Sequence, residues 1–194
     1  MAPEHPTVVG TADPPVKEPS AGTDARLVLR ARAGDREAFG GLYDRWAATV
    51  HGLLVADGPR GEEADLVHEV FLRAMRSLSS LNEPERFGPW LCTIARNLAR
   101  DALRRAGRRG AVGPLLDDLE HDARRSEPTE HAVEAAKVLD RLRELPEAYR
   151  ETLALRLVEG LSGPEIAERT GRSEGAIRVN LHRGMKLLRE RLQL

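Results

Sequence analysis

Residues 161–189 read LSGPEIAERTGRSEGAIRVNLHRGMKLLR. The stretch predicts two short helices joined by a sharp turn. Ser162 followed by Glu165 is a capping-box signature, and Pro164 lies in the first turn, where its missing N–H costs little. Gly171 stands where the turn needs a left-handed residue, and Ser173 caps the second helix. Ile166 and Ala167 face inward, and the small Ala167 lets the second helix cross closely. Ile177, Leu181 and Leu188 form the buried stripe of that helix, with Gly184 at a close approach. Its outer face carries Arg178, Asn180, Arg183 and Lys186, and residues 178–191 hold five basic groups against one acid. In a DNA major groove, Arg and Asn pair bidentately with guanine and adenine edges. The remaining cations neutralise phosphates, and the helix N-terminus attracts them. A solvated helical hairpin also carries charge, but cap, glycine turn, apolar triad and basic face together favour a helix-turn-helix.

Upstream the pattern is helical throughout. Asp24 is the expected cap of a first helix ending before Gly34. Asp35 opens a second, in which Phe39, Leu42, Tyr43, Trp46, Val50, Leu53 and Leu54 recur at helical spacing, and Asp57–Gly61 breaks it. A third covers about 62–78, with Leu66, Val67, Val70, Phe71, Ala74, Met75 and Leu78 as its expected buried stripe. Asp65, His68, Glu69 and Leu72 lie on or beside its other face. A loop, SSLNEPERFG, leads to a fourth near 88–106. Helices over about 130–144 and from Pro146 onward, the latter carrying Tyr149, Leu153, Leu155, Leu157 and Val158, lead into the helix-turn-helix. No strand is predicted.

Residues 96–109 hold six arginines against the single Asp101. Arg96, Arg100 and Arg104 are four apart and share a face. Phe87 and Trp90 lie just upstream, and cations beside aromatics are what single-stranded nucleic acid requires, because bases stack and phosphates pair. Core packing of Trp90 and simple decoration of a helix end are the bland alternatives.

Composition bounds the rest. Hydrophobic residues at 41% suffice for compact cores, and 4% aromatics argues against an all-β sandwich. Residues 24–110 carry net +3, residues 111–140 net −5 and residues 141–194 net +3, so two basic blocks flank an acidic strip. The single Cys92 excludes a disulfide framework and a cysteine metal cluster. His68-Glu69 lacks the second histidine of a His-Glu-x-x-His motif, since position 72 is Leu72. No catalytic constellation, metal site or cofactor motif is found. No apolar run reaches the roughly 18 residues of a membrane span, and the first residues do not read as a signal peptide, so a soluble cytoplasmic protein is expected. The expected fold class is all-α: a disordered tail over 1–22, a helical domain over 23–108, a flexible acidic linker over 109–128 and a helix-turn-helix domain over 129–194.

The stretches AGDREAFGGLYDRW, EADLVHEVFLRAMRSL, RFGPWLCTIARNLARDALRR and LRELPEAYRETLALRLVEGLSGPEIAERTGRSEGAIRVNLHRGMKLLRERL together resemble the extracytoplasmic-function (ECF) sigma factors of the sigma-70 family. The resemblance implies two helical domains, region 2 and region 4, that bind core RNA polymerase and direct promoter-specific initiation. Region 2 would dock on the β′ clamp and open the minus-ten element, and region 4 would bind the minus-thirty-five duplex and the β flap. By position it implies a polymerase contact through Asp65, His68, Glu69 and Leu72. A minus-ten contact falls to Phe87, Trp90, Arg96, Asn97, Arg100, Asp101 and Arg104. A minus-thirty-five contact falls to Ser173, Arg178, Val179, Asn180, Arg183 and Lys186. An anti-sigma partner is also implied. The chain departs from the family where His68 replaces a usual glutamine, where Val179 and Asn180 replace Ser and Arg, and at Gly163-Pro164. A regulator that leaves sigma in place, or a nuclease with a helix-turn-helix accessory, are the rival readings.

Overall fold

A computed structural model describes residues 20–110 and 130–193, all helix, turn and connecting loop. The expected acidic linker lies outside the described residues except for 109–110, which end a helix, and the expected tail except for 20–22, which open one. Four helices precede the gap: α1 (Ser20–Arg32), α2 (Arg36–Asp57), α3 (Glu63–Ser77) and α4 (Phe87–Gly110), with two single 3-10 turns between α3 and α4. Four follow it: α5 (Glu130–Arg143), α6 (Glu147–Leu157), α7 (Gly163–Thr170) and α8 (Glu174–Leu192).

Local chemistry sets most of the boundaries. The Asp35 carboxylate accepts from the Ala38 backbone N–H at 3.1 Å and caps α2. That hydrogen bond first, then the Arg30 guanidinium, holds its carboxyl below the ordinary range. Gly34 (φ 93°) makes the turn into this cap. Ser162 and Glu165 form a reciprocal capping box on α7, Gly171 closes α7 in the left-handed region at φ 69°, and Ser173 caps α8.

Asp24 is not the expected cap. It lies inside α1, almost wholly buried, and accepts from Arg45 Nε at 2.7 Å and Trp46 Nε1 at 3.0 Å. A buried carboxylate is tolerable only when paired in this way. Trp46 in turn packs edge-on to Phe87, with ring centroids 6.1 Å apart. Met75 does not join the α3 stripe but is 51% exposed, and Leu157 and Val158 also stand out in solvent at the end of α6.

The N-terminal four helices bundle around α2, which touches α1, α3 and α4. From Thr49 to Asp57 nearly every residue of α2 is buried, because α6 covers the side that the bundle leaves open. A helix apolar all round is buried all round. In the C-terminal half, α8 crosses α6 at Gly184, where an added Cβ would meet Tyr149 Cβ at 3.1 Å and Leu153 Cδ1 at 3.2 Å.

The two halves are not held apart. Leu155, Ile166, Ala167 and Ile177 from the C-terminal half belong to one continuous apolar cluster with Trp46, Leu53, Leu91, Cys92 and Ala95. Gly52 permits the approach, since a Cβ there would lie 2.9 Å from both Leu155 Cδ2 and Glu159 Cγ.

Gly88 is the tightest point of the N-terminal core: a Cβ would fall 2.6 Å from Trp46 Cζ2. Gly88→Ala is expected to destabilise the chain by about 1–3 kcal/mol through overpacking. Gly107→Ala, in the same helix with nothing near its Cβ, is expected to be neutral or stabilising by up to about 1 kcal/mol. Denaturant melts of the two variants check the contrast.

Candidate nucleic-acid interface

The α3 face forms as a stripe. Asp65 and His68 are exposed, Glu69 is half-buried, and Leu72 is 42% exposed with Met75 beyond it. The Glu69 carboxylate accepts from Arg73 Nε at 2.8 Å, which holds it below its ordinary range. His68 Nδ1 lies 3.1 Å from the Ala64 carbonyl oxygen. A carbonyl only accepts, so Nδ1 carries the proton, and a neutral ring presents Nε2 outward as an acceptor. A glutamine in this place could offer both a donor and an acceptor. Tyr43 flanks the imidazole at 6.1 Å.

The expected minus-ten residues divide between two sides of α4. Phe87 is 0% exposed, held between Trp46 and Trp90, and in this arrangement no base can reach it. Trp90 is half-buried and lines an open cleft of about 350 Å³ with Leu81, Asn82, Glu83, Arg86, Pro89 and Thr93. Asn97 and Arg104 are exposed farther along this side. Asp101 pairs with Arg104, which lowers its pKa.

Arg96 and Arg100 face the other way, toward α6. Arg96 Nε and Nη2 donate to the two Glu151 carboxylate oxygens at 2.5 and 3.0 Å, and Arg100 Nη2 donates to Glu147 at 2.7 Å. Burial disfavours the Arg96 charge, but hydrogen bonding and attraction to Glu151 outweigh it and the pKa rises.

On α8 the expected face is partly realised. Arg178, Val179, Arg183 and Lys186 are exposed. Ser173 spends its hydroxyl oxygen on the cap, and Asn180 turns inward, its Nδ2 donating to the Ala148 carbonyl at 3.4 Å. Gly175 and His182, which periodicity alone places outward, complete the exposed side.

The contacts between the halves join partners remote in the chain, which no local pattern reveals. Arg169 Nη1 donates to the Arg45 carbonyl at 2.6 Å and Thr49 Oγ1 at 2.7 Å, with its guanidinium carbon 5.3 Å from the Trp46 ring centre. Arg150 binds Asp57 at 2.6 Å, and His51 Nδ1 lies 2.7 Å from Glu159 Oε1. Asp57, Glu147 and Glu151 bring carboxylate oxygens within 4.8 Å of one another, a spacing that could hold a cation. Four arginines (Arg96, Arg100, Arg150 and Arg172) already pair with them, so the cluster is an ion-pair network rather than a metal cradle. Burial first, then the neighbouring Glu151 and Glu147 charges, raises the Asp57 pKa against the pull of Arg150.

Comparison with known proteins joins these surfaces. The family description Sigma-70 region 2 matches residues 42–109, and Sigma-70, region 4 matches residues 135–188. The chain is 36% identical over 180 residues to the ECF RNA polymerase sigma factor BldN of Streptomyces coelicolor, covering 89% of this chain and 68% of that protein. It is 38% identical over 176 residues to the RNA polymerase sigma factor CarQ of Myxococcus xanthus, covering 84% and 94%. The solved structure of CnrH in complex with the cytosolic domain of CnrY aligns with a TM-score of 0.57 at 27% identity, covering 88% of this chain and 97% of that one. Both sigma regions occur in order, on the helices that carry the exposed stripe of α3, the cleft beside Trp90 and the basic face of α8, and the chain belongs to the ECF group of the sigma-70 family, alternative sigma factors that bind core RNA polymerase and direct promoter-specific initiation.

Proposed function

We propose the following division of that work, carried out in the cytoplasm. Residues 23–108 act as the polymerase-docking and minus-ten unit, and residues 129–194 as the minus-thirty-five unit. Asp65, His68, Glu69 and Leu72 contact the β′ clamp. The observation that carries this is the uncovered apolar surface on α3: Leu72 and Met75 stand in solvent, with His68, Glu69 and Arg76 one turn from Leu72, on a helix whose opposite side is core. Exposed apolar side chains rimmed by polar ones mark interaction surfaces.

The cleft beside Trp90 receives an unstacked base of the minus-ten strand. It offers one aromatic wall and a rim of Asn82, Glu83, Arg86 and Thr93 for the base edge. Asn97, Asp101 and Arg104 continue the track along α4, with Arg96 and Arg100 joining it once freed from Glu151 and Glu147. Phe87 acts behind this surface, by packing Trp90 into place.

In the minus-thirty-five duplex, Arg178 reads a base edge, Val179 supplies an apolar contact to a thymine methyl, and Arg183 and Lys186 hold phosphates. His182 lies on the same side, and the β flap completes the contacts of this half. An anti-sigma factor is the expected inhibitory partner, a reading supported by the CnrH relative, which is solved with the cytosolic domain of CnrY bound.

Two outcomes test the division. Leu72→Asp is expected to weaken core polymerase binding at least about tenfold, as for a central interface residue, with an unchanged helical spectrum. Equal retention of wild-type and variant chain on immobilised core enzyme would remove α3 from the interface. Arg178→Ala is expected to cost about 1–3 kcal/mol on the preferred minus-thirty-five duplex and less on variants at the contacted pair. Lys186→Ala is expected to weaken all sequences alike and to flatten the salt dependence. Fluorescence anisotropy across a duplex series separates the two patterns.

A further inference from the structure

Arg96 and Arg172 come from opposite halves of the chain and donate to one carboxylate. Arg96 grips both oxygens of Glu151, and Arg172 Nη2 adds a third bond to Oε2 at 3.0 Å. The Glu151 side chain is 1% exposed, against 17% and 30% for the two arginines. A planar fork on two oxygens, with a second guanidinium on a remaining lone pair, is also how arginines hold a phosphodiester. Beside it Glu147 engages Arg100, so α6 lays two acids along the arginine side of α4. The fit is incomplete, because Arg172 Nη1 is buried with no acceptor. The site holds more donors than its carboxylate satisfies.

We propose that α6 is an internal competitor of the nucleic-acid backbone. Glu151, held in place by Arg172 of its own half and aided by Glu147, occupies on Arg96 and Arg100 the place of phosphodiester oxygens, and the closed chain releases these two arginines before it grips single-stranded promoter DNA. This rests on the assignment of α4 to the minus-ten strand. The energetics suit a switch. A buried ion pair gains little net free energy, because desolvation offsets most of the attraction. A strand offering several phosphates adds counterion release, which the single carboxylate cannot.

The chain carries its own reporter of opening. Cys92, the one cysteine of the sequence, is fully buried, and its Sγ donates to the Arg169 carbonyl of the other half at 3.6 Å. Burial pushes its thiol up to about 12, so it is inert while the halves stay together.

The test uses the full chain with Glu151→Gln, which keeps the shape and removes the charge. Three readouts are followed: the rate of Cys92 labelling by a disulfide reagent, anisotropy with a fluorescent oligothymidylate, and promoter-specific run-off transcription with core polymerase. The folded variant is expected to label and to bind the oligonucleotide each about tenfold faster or tighter, as the closed population falls. Adding Arg96→Ala is expected to abolish the binding gain but not the labelling gain. Glu147→Gln, at a half-exposed position, serves where Glu151→Gln does not fold, with a gain of about threefold in binding expected as Arg100 is released. Wild-type labelling and binding in a folded variant would overturn the proposal. Faster labelling without tighter binding would overturn it too, leaving Glu151 a purely structural clasp. Failure of wild-type run-off transcription, with the oligonucleotide gain intact, would instead count against the assigned division of function and leave the competitor standing.

Discussion

A carboxylate can sit at 1% exposure only where its charge is met, and Glu151 is met by two arginines from two different parts of the fold. That requirement fixes how the halves are placed. Ion pairs of this kind contribute orientation more than cohesion, because taking both charges out of water costs nearly what their attraction returns. Cohesion comes from the apolar cluster, in which Leu155, Ile166 and Ile177 lie with Trp46, Leu91 and Ala95. Arg169 links the two contributions. Its guanidinium lies over Trp46 while two hydrogen bonds satisfy it on the α2 backbone and Thr49. A small apolar seam surrounded by directional charged contacts defines one relative placement without making it hard to undo.

Features whose partners lie within four residues were legible in the sequence. The Asp35 and Ser173 caps, the Ser162–Glu165 box and the left-handed Gly171 all stand where spacing puts them. Features with remote partners were not. Asp24 has the composition of a cap, yet its hydrogen bonds run to Arg45 and Trp46. Nothing within a few residues of Asp24 distinguishes the two roles. Met75 has helical spacing suited to the core, but α3 offers only one packed side and Met75 falls just past its edge. The missed signal that was present is in α2. Val50 to Ala56 is apolar but for His51, with Gly52 among them, more burial than a three-helix contact needs, and α6 is what uses it.

The candidate site shows the same division. Residue type and spacing located the exposed positions of α3 and α8 because helical periodicity alone decides which side of a helix faces out. They could not separate Phe87, which is core, from Trp90, which lines the cleft, since the difference depends on Trp46 in another helix. Nor could they show that Asn180 spends its amide on Ala148. The SSLNEPERFG loop contributes Ser80, Leu81, Asn82, Glu83 and Arg86 to the cleft, and a loop without periodicity gives no pattern from which to read that.

The closed arrangement does not cover all working surfaces equally, and this bears on the order in which they can be used. Leu72, Met75, Asp65 and His68 are exposed, so the proposed docking face of α3 is open while the halves are still together. Arg178, Val179, Arg183 and Lys186 are likewise exposed on α8. Arg96 is the member of the proposed nucleic-acid track most deeply engaged with the opposite half. On the proposed division of work, the surfaces for a protein partner and for duplex DNA are thus presented first, and the one suited to an opened strand is held back. Separating the halves breaks Arg96–Glu151, Arg100–Glu147 and Arg150–Asp57 together, and their carboxylates share one small volume. Their rupture is therefore expected to be concerted, because losing Arg96 or Arg150 alone leaves the buried Glu151 or Asp57 short of a partner.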